Sequence, residues 1–357
     1  MGKITVGIIG CGNIAKNAHA PSYHNNEQAD VRYFCDILPE RAEAMVRKYG
    51  CGKAVADYHE ILEDPEIQAV SVCTPNNLHC KIATEALRAG KHVLCEKPAA
   101  RTYPEALEMQ RVQHETGKIL NIGVVNRFNT AVNKIRELIA SGELGEVYHV
   151  YGSFRSHRSI PGLGGAFTTR ALSGGGVLID WGVHFIDLIL HCVGDPAPKT
   201  VTGQTYGRLG KNIRDYAYVD MWAGPPKPDG VYDVEDFVTG MIRTEGPTIT
   251  LNGAWAQNIG VEEMYVDFLG DKAGVRLQYL DNFKLYTAKN GSLLEITPSY
   301  PTKPPFQNEI DSFLKCIRTG EKLPSHIDRV VVTQKIMQAL YDSSEQSREI
   351  SFSGENG

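Results

Sequence analysis

No C-x-x-C pair occurs among the eight cysteines of the chain (Cys11, Cys35, Cys51, Cys73, Cys80, Cys95, Cys192 and Cys316), which removes the usual sequence signature of a dithiol redox centre or a paired metal-ligand set. Several of them sit in apolar runs, such as Val72-Cys73 and Val93-Leu94-Cys95, and read as reduced, buried thiols of a cytoplasmic protein. A nucleophilic role for Cys35 or Cys95 is the minority reading, because a lone thiol at a strand end is ordinarily a packing residue. Blocks of Lys or Arg are also lacking, and the net charge is -5, so nothing in the charge pattern draws nucleic acid or an anionic membrane. The apolar run at the N-terminus is too short for a signal peptide or a membrane span. Internal repeats and low-complexity tracts are missing as well, and the proline-rich stretch Gly224 to Gly230 reads as a surface loop.

What is present is an ordinary globular composition, 42% hydrophobic and 22% charged, in 357 residues, enough for two domains with real cores. From Ile4 to Val125, short β-branched runs alternate with amphipathic stretches. Strands are expected at Ile4 to Ile9, Val31 to Cys35, Ala69 to Cys73, His92 to Cys95 and Ile119 to Val124. Helices are expected between them at Asn13 to His24, Pro39 to Tyr49, Leu78 to Ala89 and Tyr103 to Thr116. That rhythm predicts an α/β Rossmann domain over residues 1–125, with ligands at the carboxyl ends of its parallel strands.

Beyond Asn126 a helix at Ala131 to Ser141 precedes strand-like runs at Val147 to Phe154, Val201 to Tyr206, Val234 to Arg243, Thr248 to Ala256 and Tyr265 to Leu269. They follow one another with a single long helix, Gly176 to Cys192, in between. Residues 126–357 therefore predict an α+β domain with a mainly antiparallel sheet, closed by helices within 306–345 that pack back towards the first domain.

Chemistry concentrates at the ends of the first-domain strands. Gly10-Cys11-Gly12-Asn13-Ile14-Ala15 is a G-x-G-x-x-A turn that follows a strand and opens a helix, the context in which bare backbone approaches a pyrophosphate. Asp36, at the end of the second strand, suits the ribose hydroxyls of NAD and repels the 2'-phosphate of NADP; it suits capping of the next helix equally well. Thr74, Pro75, Asn76 and His79 follow the third strand, where polar groups face the nicotinamide half, although Thr74 and Asn76 are also good helix caps. Glu96-Lys97-Pro98 delivers a lysine to the same edge. In the second domain Asp180, His184 and Asp187 are spaced to share one face of the helix that follows Gly174-Gly175-Gly176. A carboxylate and an imidazole so stacked can orient or relay a proton, unless the histidine is merely satisfied by Asp187 inside the core.

These motifs, with Asn126-Arg127-Phe128, resemble those of the Gfo/Idh/MocA oxidoreductases, which include glucose-fructose oxidoreductase and inositol dehydrogenase, and the resemblance runs along essentially the whole chain. It implies Lys97, Asp180 and His184 as catalytic residues, cofactor contacts from the glycine turn through Glu96, Lys97 and Asn126, and an open-faced sheet that builds homodimers or homotetramers. It also implies a small polyhydroxylated substrate and no metal. Arg127 and the polar insert carrying Arg155, His157, Arg158, Thr168 and Thr169 suit such a ring. The expected reaction is hydride transfer from a ring carbinol to the nicotinamide, with Lys97 and His184 assigned jointly to the reacting oxygen, His184 as its base, and Asp180 anchoring a neighbouring hydroxyl or the lysine. The narrowest expectation is oxidation at the C3 hydroxyl of a glucoside. Two other classes stay open: an NAD-dependent glycosidase that works by transient oxidation, and a non-catalytic cofactor-binding regulator.

Overall fold

The computed structural model describes residues 2–218 and 221–352. The chain divides into two compact units: residues up to Asn129 together with Lys303–Val331, and Thr130–Thr302 together with the segment from Val332 onward.

The first unit is built on six parallel strands, β1 (Ile4–Ile9), β2 (Ala29–Cys35), β3 (Lys53–Val55), β4 (Ala69–Val72), β5 (His92–Glu96) and β6 (Leu120–Gly123), in the order β3-β2-β1-β4-β5-β6. β1 is buried at every position, which is why it reads as an unbroken apolar run and not as an alternation. The strand order reverses between β1 and β4, so the crevice beyond their carboxyl ends is where a doubly wound sheet receives its ligand. β3 went unforeseen: three residues carry no periodicity, and only pairing with Tyr33 to Cys35 makes them a strand.

The helix expected over Asn13 to His24 is present, and a π-helical turn, Ala15–His19, lies inside it ahead of the α-helical turn Ala20–His24. Pro21 lacks the amide that would close a regular α-turn at that point, and a wider turn accommodates it. The helix Pro305–Thr319, expected as a part of the second domain that packs back towards the first, belongs to the first unit itself. Its buried Ile310, Phe313 and Leu314 join the same core as Ile4, Val6, Ile8, Tyr23 and Phe34. Helical periodicity shows which face of that segment is apolar and is silent on which sheet it covers.

Among the described residues the second unit holds nine strands, β7 (Val147–Arg155), β8 (Pro198–Tyr206), β9 (Phe237–Thr244), β10 (Thr248–Ala254), β11 (Glu263–Gly270), β12 (Ala273–Gln278), β13 (Phe283–Lys289), β14 (Ser292–Ile296) and β15 (Ile350–Ser351). Their order is β14-β13-β12-β11-β7-β10-β9-β8-β15, antiparallel throughout except for the parallel pair β7 and β10. Val150, Gly152 and Phe154 of β7 point to the helix Val183–Cys192, and the Phe154 ring lies 4.7 Å from that of Phe185. Tyr151 and Tyr265 lie on the opposite face, where Arg276 stacks over Tyr265.

Within the helical stretch Arg170–Cys192 a window of 18 residues has the mean hydropathy, 1.3, of a membrane span, but 83% of it is buried inside the protein. It is the core helix of this unit. The proline-rich segment is held against residues 161–165, with Ala223 N donating to Pro161 O and Lys227 N to Leu163 O.

Candidate active site

In the first unit, Gly10 turns the chain at the end of β1 with φ +94°, and a Cβ there would lie 2.5 Å from the carbonyl oxygen of Cys73. Only glycine tolerates both the positive φ and that approach. The Gly10 amide donates to Cys35 O, so the turn is seated between the ends of β2 and β4, at the reversal of strand order. A Cβ at Gly12 would meet nothing within 4 Å. Open backbone at this point is the cradle a pyrophosphate needs, with Asn13 exposed and Ile14 half-buried beside it.

Asp36 orders the glycine turn and the approach to the next helix, whose N-cap is Leu38. Its buried carboxylate accepts from Cys11 N at 2.9 Å and from Leu38 N, at the start of the next helix, at 3.0 Å. Each oxygen keeps a further lone pair for a ribose hydroxyl. After β4 the Thr74 hydroxyl is buried with no hydrogen-bond partner among the described residues, as suits a group that a bound cofactor would meet. Pro75 is exposed and Asn76 half-buried in the short turn that follows. These residues fit a dinucleotide.

His79 lies deeper than its motif suggests. Its ring nitrogens face the carbonyl oxygens of Thr74 at 2.9 Å and Pro98 at 2.8 Å, and burial lowers its pKa. A neutral imidazole has one proton to share between two acceptors, so His79 acts as a staple between the Thr74 turn and the Lys97-Pro98 turn. Glu96 is also turned inward. Its carboxylate accepts from Lys97 N at 3.1 Å and meets His19 Nε2 at 2.8 Å, while His19 Nδ1 faces the Ser71 hydroxyl, itself bonded to Tyr23. Burial pushes the Glu96 pKa up, the hydrogen bond and charge of His19 pull it down, and the balance is downward. Lys97 itself is half-buried at the strand edge. Asn126 and Arg127 are buried in the turn Val125–Phe128, and an Arg127 guanidinium nitrogen donates to Pro324 O at 3.0 Å.

Among the described residues no disulfide joins any of the eight cysteines, and Cys51 and Cys80 are only partly buried. Burial, then the neighbouring Asp36 charge, push Cys11 and Cys35 up to about 12, and Cys95 is raised by burial as well, so none of the three is an activated thiolate.

In the second unit the glycine run is explained by contact. A Cβ at Gly175 would collide with the Tyr341 hydroxyl, and one at Gly176 with the Glu235 carbonyl oxygen. A π-helical turn, Leu178–Gly182, follows and runs into the α-helix Val183–Cys192. Asp180 and His184 are half-buried, whereas Asp187 is buried and accepts from the Thr333 hydroxyl at 3.1 Å. The spacing that suggested a common face thus yields two accessible groups and one core residue. Tyr279, which the sequence reading missed, has its ring 6.4 Å from that of His184 and stacks on Phe185.

The polar insert is mostly occupied with its own fold. Arg155 pairs with Glu263 on the face of β7 opposite Phe154, away from the helix bearing Asp180 and His184, because successive strand residues alternate sides. His157 is exposed, and its backbone amide donates to Glu262. Arg158 donates to Gln257 O and lies over the Tyr216 ring. The Thr168 hydroxyl bonds Val231 O and Gly164 N, and that of Thr169 bonds Gly165 O. Among the described residues, no group of three His, Cys, Asp or Glu side chains is placed to hold a metal.

Residues 4–124 match the sequence profile described as the oxidoreductase family with an NAD-binding Rossmann fold, and residues 132–276 match that of the GFO/IDH/MocA C-terminal domain. The D-glucoside 3-dehydrogenase of Escherichia coli (strain K12) is 32% identical over 356 residues, covering 96% of this chain and 95% of that protein. Among solved structures, levoglucosan dehydrogenase in complex with NADH and levoglucosan superposes with a TM-score of 0.84 at 21% identity, covering 98% of this chain and 100% of that one. The aldose-aldose oxidoreductase from Caulobacter crescentus, complexed with glycerol, gives 0.83 at 23% identity with the same coverage, 98% and 100%. At such identities these two likenesses concern the fold. Matched in both domains and along nearly its whole length, the chain belongs to the Gfo/Idh/MocA oxidoreductase family and is an NAD(P)-dependent oxidoreductase.

Proposed function

We propose that the protein is an NAD-dependent dehydrogenase that oxidises a secondary ring hydroxyl of a sugar, glycoside or cyclitol, and more narrowly the C3 hydroxyl of a glucoside. The observation that carries this reading is the full-length kinship with a D-glucoside 3-dehydrogenase in a chain that has Lys97, Asp180 and His184 at the family's motif positions. NAD is favoured over NADP because the buried Asp36 carboxylate at the end of β2 welcomes ribose hydroxyls and repels a phosphate. When bound, the nicotinamide supplies the hydride acceptor. Gly10 and Gly12 admit its pyrophosphate to bare backbone, and the Thr74 hydroxyl supplies a hydrogen bond at the edge of β4. In this reading Lys97 donates a hydrogen bond to the reacting oxygen, His184 removes its proton, and Asp180 holds a neighbouring hydroxyl.

The test is a panel of methyl and aryl glucosides, free sugars and inositols with NAD and NADP, followed by reduced-cofactor absorbance and by identification of the ketone position. Reduction of NAD with a 3-keto glucoside as product is the expected result. Activity confined to inositols would overturn the glucoside assignment. Aglycone release without accumulation of NADH would replace the dehydrogenase by a redox-assisted glycosidase.

A further inference from the structure

The helix that carries Asp180 and His184 begins without a side-chain cap of its own. Its first amides are taken up by one residue from 59 positions further along the chain: Gly176 N and Leu178 N donate to Glu235 Oε1 at 2.9 and 3.0 Å, and Val177 N donates to the Glu235 backbone carbonyl at 3.1 Å. The same Oε1 accepts from the Tyr341 hydroxyl at 2.8 Å. Both partners are buried, with Glu235 2% and Tyr341 6% exposed, and Glu235 Oε2 has no hydrogen-bond partner among the described residues. Gly175 and Gly176 are the residues against which this clamp closes, since a Cβ at either would displace it.

We propose that Glu235, braced by Tyr341, is a positioning residue that sets the start and rotational phase of the helix presenting Asp180 and His184. The inference rests on the proposed role of those two side chains. Three consecutive amides gripped by one residue fix where the helix begins, and the π-helical turn that follows is where a change of phase would be absorbed. The grip depends on an acceptor at Oε1 and not on a full negative charge: burial raises the Glu235 carboxyl pKa, so a neutral side chain of the same shape does the same work. Asp236, next in sequence, makes a parallel grip on the amides of Arg208, Leu209 and Gly210 and so leaves Glu235 as the acid assigned to the helix.

The experiment compares E235A, E235Q and Y341F in the full-length protein, reading steady-state kinetics and amide hydrogen exchange of peptides spanning 174–184. For E235A we expect kcat to fall about a hundredfold, the effect of a misplacement of roughly 1 Å, with KM for NAD unchanged and exchange at 176–182 accelerated. E235Q retains kcat within about threefold and keeps the exchange protection, and Y341F lies between the two. An E235A protein that loses only thermal stability, with kcat and exchange at 176–182 unaltered, would overturn the proposal, as would E235Q failing as badly as E235A. If E235A does not fold, E235Q and Y341F still decide between these outcomes. If the wild-type protein oxidises nothing in the panel, the functional reading fails while the exchange data still report on the clamp.

Discussion

At the residue scale, Asp36 joins the proposed cofactor choice to backbone order, since one carboxylate at the end of β2 accepts from Cys11 N and Leu38 N. Replacing it by serine removes charged hydrogen bonds worth about 1.5–3 kcal/mol each. That corresponds to roughly a tenfold to hundredfold loss in kcat/KM for NAD. NADP should gain relative to NAD, and a cofactor titration of Asp36→Ser checks both. The proposed proton chemistry predicts that His184→Ala and Lys97→Met each lower kcat by about a hundredfold or more. Near-full turnover in either variant would remove that residue from the proton path. Cys35, by contrast, has no place in the chemistry: burial, then Asp36, push its pKa up to about 12, and its replacement by serine should leave kcat unchanged.

At the element scale, the helix Val183–Cys192 is held by packing on β7, with Phe185 between Phe154 at 4.7 Å and Tyr279 at 4.8 Å. Phe185→Ala should cost about 3–5 kcal/mol, measured by urea unfolding. β5 carries a pH dependence of its own. His92 Nδ1 accepts from Ile119 N at 3.1 Å, and burial, then Lys118, lower its pKa to about 4. The folded value lies below the unfolded one of about 6.5, so the unfolded chain takes up the proton first as pH falls. This contribution to stability is therefore present above about 6.5 and declines as the pH approaches 4. Urea midpoints across that range should slope downward with acid, and His92→Gln should flatten the slope.

At the scale of the whole molecule, the first unit is discontinuous in sequence. Ile310, Phe313 and Leu314 come from beyond the second unit to complete the core under β1 and β2. Burying three such side chains contributes on the order of 5 kcal/mol, comparable to the total stability of a small domain, about 5–15 kcal/mol. A fragment covering 1–129 should accordingly melt broadly or not fold, whereas 1–129 joined by a flexible linker to 303–331 should show a cooperative transition by circular dichroism. Equal stability of the two fragments would show that the returning helix is dispensable.

Much of the site was legible in the chain because its chemistry is local. The glycine turn, Asp36 and the Thr74 turn each lie within a few residues of a strand end, and period and punctuation place strand ends. Gly175 and Gly176 were visible as a motif, but the reason for them was not, since Glu235 and Tyr341 arrive from other elements. Arg155 shows the opposite error: its type suited a sugar, and the two-residue alternation of β7 turned it to the other face, onto Glu263. The sequence by itself therefore determined the family and the parallel sheet of the first unit, and it nominated the residues proposed to do the chemistry, all of which follow from short-range pattern and side-chain type. Only the tertiary structure decided which unit the helix Pro305–Thr319 completes, what grips the start of the Asp180 and His184 helix, and which polar residues face a neighbour instead of solvent. Those are contacts between segments distant in the chain, and periodicity marks an apolar face without naming its partner.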